Sequence, residues 1–173
     1  MDEVTIRRAV AADLPTIVAL LEEVDELHRE ALPWLLRKVD EPRSQEFLEP
    51  FTSKSDHIAL VASIGDGPLT GVLLALVREV SRVPIVRPSS VAEIDTLVVG
   101  RAFRRQGVGK RLVQAAIQWA RDGGATRTEL GVYEFNESAR AFWESVGFET
   151  LSRRLVNIRL LPTADAAMLS RRG

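Results

Sequence analysis

Val4-Thr5-Ile6-Arg7-Arg8 alternates apolar and polar side chains and predicts a short strand. The period then becomes helical: Leu14, Ile17, Leu20, Leu21, Val24 and Leu27 recur at three- and four-residue steps behind an Asp13 cap and an early Pro15. Glu22, Glu23, Asp25 and Glu26 fall on the opposite face and predict a solvated surface. Leu32-Pro33-Trp34 ends or kinks this segment, and a second short helix is expected from Ser44 to Phe51. His57–Ile64 and Leu69–Val80 read as strands joined through the turn Gly65-Asp66-Gly67-Pro68. After a Pro-bearing loop, Val83–Pro88, the apolar run Val91–Val99 predicts a central strand that carries two acids, Glu93 and Asp95.

From Gly107, the spacing of Val108, Leu112, Val113, Ala116, Ile117 and Ala120 predicts a helix that stops at Gly123-Gly124. A strand follows at Thr128–Val132, and Asn136 can cap a helix with Ala139, Phe142, Trp143 and Val146 on its buried side, ended by Gly147. Phe148–Leu151 and Leu155–Leu160 are expected to pair as a last hairpin, and Thr163–Gly173 to form a loose tail. The order β-α-α-β-β-β-α-β-α-β-β implies an α/β (α+β) fold. Its mixed, mostly antiparallel sheet is expected to hold about seven strands with helices on both faces.

The 173 residues fit one domain with one core, spanning 1–173. With 23 basic and 24 acidic side chains the chain has no global footprint for nucleic acid. Zero cysteines exclude disulfides, Fe–S clusters and a catalytic thiol. Two histidines without a carboxylate cluster do not predict a metal site. No apolar run approaches the roughly 18 residues of a bilayer span, and the acidic start does not resemble a signal peptide, so a cytoplasmic protein with no membrane partner is expected.

The segment Arg104-Arg105-Gln106-Gly107-Val108-Gly109-Lys110 follows an apolar strand and opens a helix. Helix starts offer unpaired N–H groups and a positive dipole end, and glycines admit an anion close to the backbone, so the loop suits phosphate or pyrophosphate. It is not a Walker loop, which needs Gly at Arg104 and Ser or Thr at Arg111. Nor is it a dinucleotide fingerprint, whose third Gly is replaced by Leu112.

Two ordered motifs make the chain resemble the GNAT superfamily of N-acetyltransferases over about residues 4–160. Arg104-Arg105-Gln106-Gly107-Val108-Gly109 is similar to its [Q/R]-x-x-G-x-[G/A] acyl-CoA loop. Asn136-Glu137-Ser138-Ala139-Arg140-Ala141-Phe142-Trp143-Glu144-Ser145-Val146-Gly147-Phe148 is similar to N-x-x-A-x-x-[FL]-Y-x-x-x-G-F. The opening Ile6-Arg7-Arg8-Ala9 followed by Asp13-Leu14 is also common in the family.

The resemblance implies acetyl-CoA as co-substrate, bound where two parallel strands ending near Val99 and Val132 splay apart. Backbone groups of Leu97, Val98 and Val99 would pair with the pantetheine arm and could stabilise the oxyanion, and N–H groups from Arg105 to Lys110, including Gln106, Gly107, Val108 and Gly109, would hold the pyrophosphate. Arg104, Arg105 and Lys110 either add charge to phosphate or are simply solvated. Asn136 would touch the cofactor or only cap its helix, and Ala139, Phe142 and Trp143 would flank the cofactor arm or only fill the core.

The implied reaction is direct acetyl transfer to a primary amine of a small molecule, peptide or protein, without an acyl-enzyme. An alkylamine is almost wholly protonated at pH 7, so a base is needed. Glu93 is the first candidate, on the family strand eleven residues before Arg104, and Asp95 the second, on the same face if the strand is regular. A carboxylate enclosed by apolar neighbours holds its proton more tightly, which suits a base. The family's usual tyrosine acid is replaced by Trp143, whose indole is no useful proton donor, so water or Tyr133, the one tyrosine, is left to protonate the thiolate. His28, Trp34, Arg87 and the acids of the first helix are expected near the acceptor. The competing reading is a catalytically weak acyl-CoA-binding sensor of the same fold. A homodimer through the C-terminal hairpin is a further expectation.

Overall fold

The computed structural model describes residues 3–39, 43, 45–80 and 84–157. The chain falls into two compact units, Met1–Glu23 with Arg43–Gly131, and Val24–Pro42 with Val132–Gly173.

The first unit is built on a sheet of five strands: β1 (Val4–Arg8), β2 (His57–Ile64), β3 (Leu69–Val80), β4 (Ser89–Val99) and β5 (Arg127–Leu130), in that spatial order. Every pair is antiparallel except β4 with β5, which the crossover helix α3 (Val108–Asp122) makes parallel. β2 and β3 match the predicted strands residue for residue because both alternation and turn residues are strong there. The core of these strands is apolar apart from Thr70, whose hydroxyl donates to Ala62 O, with Val61, Ala62, Val72, Leu73 and Leu74 all at 0% exposure.

α3 turns Val108, Leu112, Val113, Ala116 and Ala120 inward. It lies on the face of β3 that carries Gly71, where a Cβ would stand 3.2 Å from Leu112 and 3.3 Å from Val108. α2 (Gln45–Ser53) covers the other face: Phe51 meets the His57 ring edge-on, and His57 pairs with Leu76, whose side chain alternates away from Gly71.

α1 (Leu14–Ala31) follows a short 3₁₀ turn, Ala11–Asp13. Asp13 does not cap forwards, as the sequence suggested; it reaches back to accept the Val10 N–H at 2.8 Å and takes both nitrogens of Arg7 at 2.7 and 2.9 Å. The Arg7 hydrogen bonds hold the Asp13 carboxyl below its ordinary range, with burial working against them.

The second unit contains the C-terminal half of α1 and α4 (Glu137–Ser145). The sheet differs from the expected seven strands at the C-terminus. Phe148–Leu151 and Leu155–Asn157 form no strand, and 158–160, like the expected tail 163–173, lie outside the described residues. Leu151, Leu155 and Val156 are 80%, 90% and 64% exposed, so the alternation there has no core to face. β5 also stops at Leu130, before Gly131 and Val132. Among the described residues no helix is long and apolar enough to cross a membrane.

Candidate active site

β4 outruns its parallel neighbour. It pairs with β5 only from Val91 to Ile94, but with β3 to Val99, so the edge beyond Ile94 has no paired strand among the described residues. The Gly100 N–H donates to Thr70 O at 2.9 Å beside the Gly71–Val99 pair. In an antiparallel ladder this makes Val98 bond towards β3 and turns the N–H and C=O of Leu97 and Val99 outward. Of the three residues whose backbone was expected to meet a ligand, Leu97 and Val99 present groups to the open edge, and Val98 gives its own to the ladder.

A β-bulge precedes this edge. Leu74 pairs with Thr96 and Ala75 with Ile94, which leaves Asp95 as the extra residue. The regular strand assumed for Glu93 and Asp95 is therefore broken between them. Thr96 Oγ1 donates to Asp95 at 2.8 Å, and Arg43 stands 3.6 Å from it, its guanidinium 5.0 Å above the Phe47 ring.

The enclosure expected for Glu93 is absent. Its side chain is 43% exposed and takes Arg78 Nε at 2.6 Å. The register explains this: Glu129 sits opposite Glu93, and Arg78 and Arg127 flank the two carboxylates. Arg78 reaches Glu129 at 3.3 Å and Arg127 reaches it at 2.6 Å, giving an ion-pair ladder across three strands. Arg78 was not legible as a partner of Glu129, from which it is 51 residues away.

After β4 a 3₁₀ turn, Arg101–Phe103, leads into the basic loop. Arg104 Nε donates to Val99 O at 2.9 Å, and its Nη2 lies 3.3 Å from Glu23 of α1. Gln106 donates to Ala102 O at 3.1 Å. Arg105 (φ 62°) and Gly107 (φ 82°) are both left-handed. Such alternation curves the backbone so that neighbouring N–H groups converge, and α3 starts at once without a side-chain cap. Val108, Gly109 and Lys110 thus occupy the first turn, where helical N–H groups have no internal acceptor. Holding a non-glycine residue at φ 62° costs about 1 kcal/mol, a strain that commonly marks a ligand loop.

In the second unit, Asn136 Oδ1 accepts the Ala139 N–H and the Ser138 hydroxyl, each at 3.1 Å, so it is the helix cap of α4. At the other end Gly147 (φ 95°) closes the helix: its N–H meets Glu144 O and the Phe148 N–H meets Trp143 O. The Phe148 ring packs 5.2 Å from that of Trp143, which also meets Phe142 at 5.1 Å. The G-F end of the second motif is thus a helix stop with its apolar lock. Tyr133 stacks on Phe135 at 5.7 Å and meets His28 edge-on at 5.0 Å. The buried Trp34 Nε1 has no hydrogen-bond partner among the described residues, and Arg87 is exposed.

The chain is 36% identical to an uncharacterized N-acetyltransferase of Methanocaldococcus jannaschii over 64 residues, which is 37% of this chain but only 28% of that protein. It is 26% identical to an uncharacterized N-acetyltransferase from the pepI 3′ region of Lactobacillus delbrueckii subsp. lactis, over 90% of both chains. Among solved structures, a Bacillus halodurans tetramutant protein superposes with a TM-score of 0.84 at 20% identity, covering 88% of this chain and 98% of its own. An aminoglycoside N-acetyltransferase in complex with CoA superposes with a TM-score of 0.67 at 18% identity, covering 88% and 97%. The acetyltransferase (GNAT) family model matches residues 21–148, from α1 through the bulged strand, the left-handed loop and the α4 helix stop, and the chain belongs to that family of acyltransferases.

Proposed function

We propose that the protein transfers an acetyl group from acetyl-CoA to a primary amine of a small molecule, peptide or protein. The observation that carries this reading is the outward edge of Leu97 and Val99 leading, through the 3₁₀ turn Arg101–Phe103, into the left-handed loop at the α3 N-terminus. An extended amide chain ending in a pyrophosphate fits that combination: strand-like backbone pairing first, convergent N–H groups after it. The CoA complex of the similarly folded aminoglycoside N-acetyltransferase supports the same donor and an amine acceptor.

Acetyl-CoA supplies an acetyl thioester, open to attack by a neutral amine with loss of the CoA thiol. Leu97 and the N–H of Val99, whose carbonyl is held by Arg104, would hold its amide-bearing arm, and the N–H groups of Arg105, Gln106, Gly107, Val108, Gly109 and Lys110 its phosphates. An outward N–H of β4 serves as the oxyanion donor. Asp95 is the stronger candidate for the base, because it stands in the bulge at the start of the open edge, whereas Glu93 is tied into the ladder. It accepts the ammonium proton and frees the amine lone pair. Tyr133 or water returns a proton to the thiolate, which at a pKa of about 8.5 leaves readily without strong acid help. Asn136, Ala139, Phe142 and Trp143 enter through the family motif alone, with packing and capping as their observed roles.

The reaction is tested by following thiol release from acetyl-CoA with a panel of primary amines, including aminoglycosides, polyamines and lysine peptides. Amine-dependent release, with mass gain of one acetyl group on the acceptor, is expected. CoA binding without release on any amine would favour an acyl-CoA sensor.

A further inference from the structure

We propose that Arg104, the first residue of the loop motif, is a positioning residue and not a phosphate ligand. It clamps the last outward carbonyl of β4 to α1 and so sets the ligand edge and the anion loop as one piece. The inference rests on the CoA reading of that loop, but its geometry does not.

The guanidinium is committed in two directions. Nε donates to Val99 O at 2.9 Å, the carbonyl at which the open edge ends, and Nη2 pairs with Glu23 at 3.3 Å. The planar guanidinium presents Nε and Nη2 to the two acceptors at a fixed spacing. The main chain between Val99 and Arg104 is closed by the Phe103 N–H to Gly100 O bond at 2.8 Å. The Arg104 contact therefore staples the loop across its own base. Immediately beyond it the backbone enters the left-handed Arg105, so the strained turn starts from a fixed point. Arg105 and Lys110, by contrast, make no side-chain hydrogen bond or ion pair among the described residues and remain the cations available to phosphate. Glu23 was legible only as one of several acids on a solvated helix face, and nothing local marks it as the partner of a residue 81 positions on.

The test compares Arg104→Ala, Arg104→Gln and Glu23→Gln with the parent protein in two measurements. Hydrogen exchange of the Gly100–Gly107 amides is followed without ligand, and affinity is measured for CoA and for pantetheine, which lacks every phosphate. Arg104→Ala is expected to speed exchange in that segment and to weaken both ligands by the same factor, roughly tenfold. Arg104→Gln, which keeps a donor for Val99 O, is expected to recover most of that loss. Glu23→Gln, removing only a half-exposed ion pair, is expected to weaken both ligands by about two- to fivefold. If Arg104→Ala weakens CoA alone, leaving pantetheine and exchange unchanged, Arg104 is a phosphate ligand and the proposal is overturned. If the parent binds neither ligand but Arg104→Ala still speeds exchange, the clamp stands and the CoA reading falls.

Discussion

Replacing Gly71 by alanine inserts one methyl group between β4 and α3, at the seam that positions the anion loop. The new Cβ would stand 2.9 Å from Val98 O, 3.2 Å from Leu112 Cδ1 and 3.3 Å from Val108 Cγ1. The first contact is the hardest, because a ladder carbonyl cannot swing away as a side chain can. Val98, Leu112 and Val108 are 4%, 0% and 1% exposed, so no neighbour has free space to retreat into. Overpacking of this kind costs about 1–3 kcal/mol, against roughly 0.4–1 kcal/mol regained from the stiffer unfolded chain. The net expectation is a loss of about 1–2 kcal/mol, or a fall of roughly 2–8 °C in Tm for a chain of this size. Gly123→Ala is the matched control: its Cβ meets only Trp119 O at 3.4 Å and Ala120 O at 3.5 Å, with an ordinary φ of −79°. Urea unfolding of both variants reads the difference, with the midpoint lowered at unchanged m for Gly71→Ala and within about 0.5 kcal/mol of the parent for Gly123→Ala. Equal stability of the two variants would refute the close packing of α3 on β3.

Three further outcomes are expected. Asp13→Asn lowers stability at pH 7 by about 1–2 kcal/mol through the loss of the two-pronged charged pair with Arg7. Because the folded carboxyl is held below its ordinary value, that contribution is complete above about pH 4 and fades as pH falls through the folded pKa. Melting the parent and Asp13→Asn from pH 7 to pH 2 checks this, the gap between them closing at the acid end. Asp95→Asn should cut turnover by at least about a hundredfold with little change in CoA affinity, while Glu93→Gln should cost less than about threefold, as steady-state kinetics will read. Asn136→Ala should cost about 1 kcal/mol of stability in denaturant unfolding, the usual worth of a helix cap.

The two central hairpin strands were legible because Ile58 to Ile64 and Leu69 to Val80 are dense in β-branched and aliphatic residues and bracket a Gly-Asp-Gly-Pro turn. The α4 stop was legible from Gly147 for the same local reason, and the loop motif from its glycines at the head of an apolar helix face. What escaped was set by register. The bulge at Asp95 follows from how β3 and β4 pair, and the Arg78–Glu93–Glu129–Arg127 ladder from which residues the pairing brings opposite one another. The left-handed Arg105 escaped because nothing in an arginine marks φ 62°, and the fixed Arg104 because its partners are a carbonyl and a distant glutamate. The expected C-terminal hairpin is absent among the described residues for the converse reason: Leu151, Leu155 and Val156 have no buried face to receive them.

The central claim, that the edge of Leu97 and Val99 and the loop beyond it hold acetyl-CoA, is tested most directly by thermal unfolding with acetyl-CoA, ATP and NAD in parallel. At about 100 times its Kd a ligand stabilises the folded chain by about 2.7 kcal/mol, roughly 5–10 °C for a domain of this size. A shift with acetyl-CoA alone is the predicted result. No shift with acetyl-CoA, or an equal shift with ATP or NAD, would contradict it.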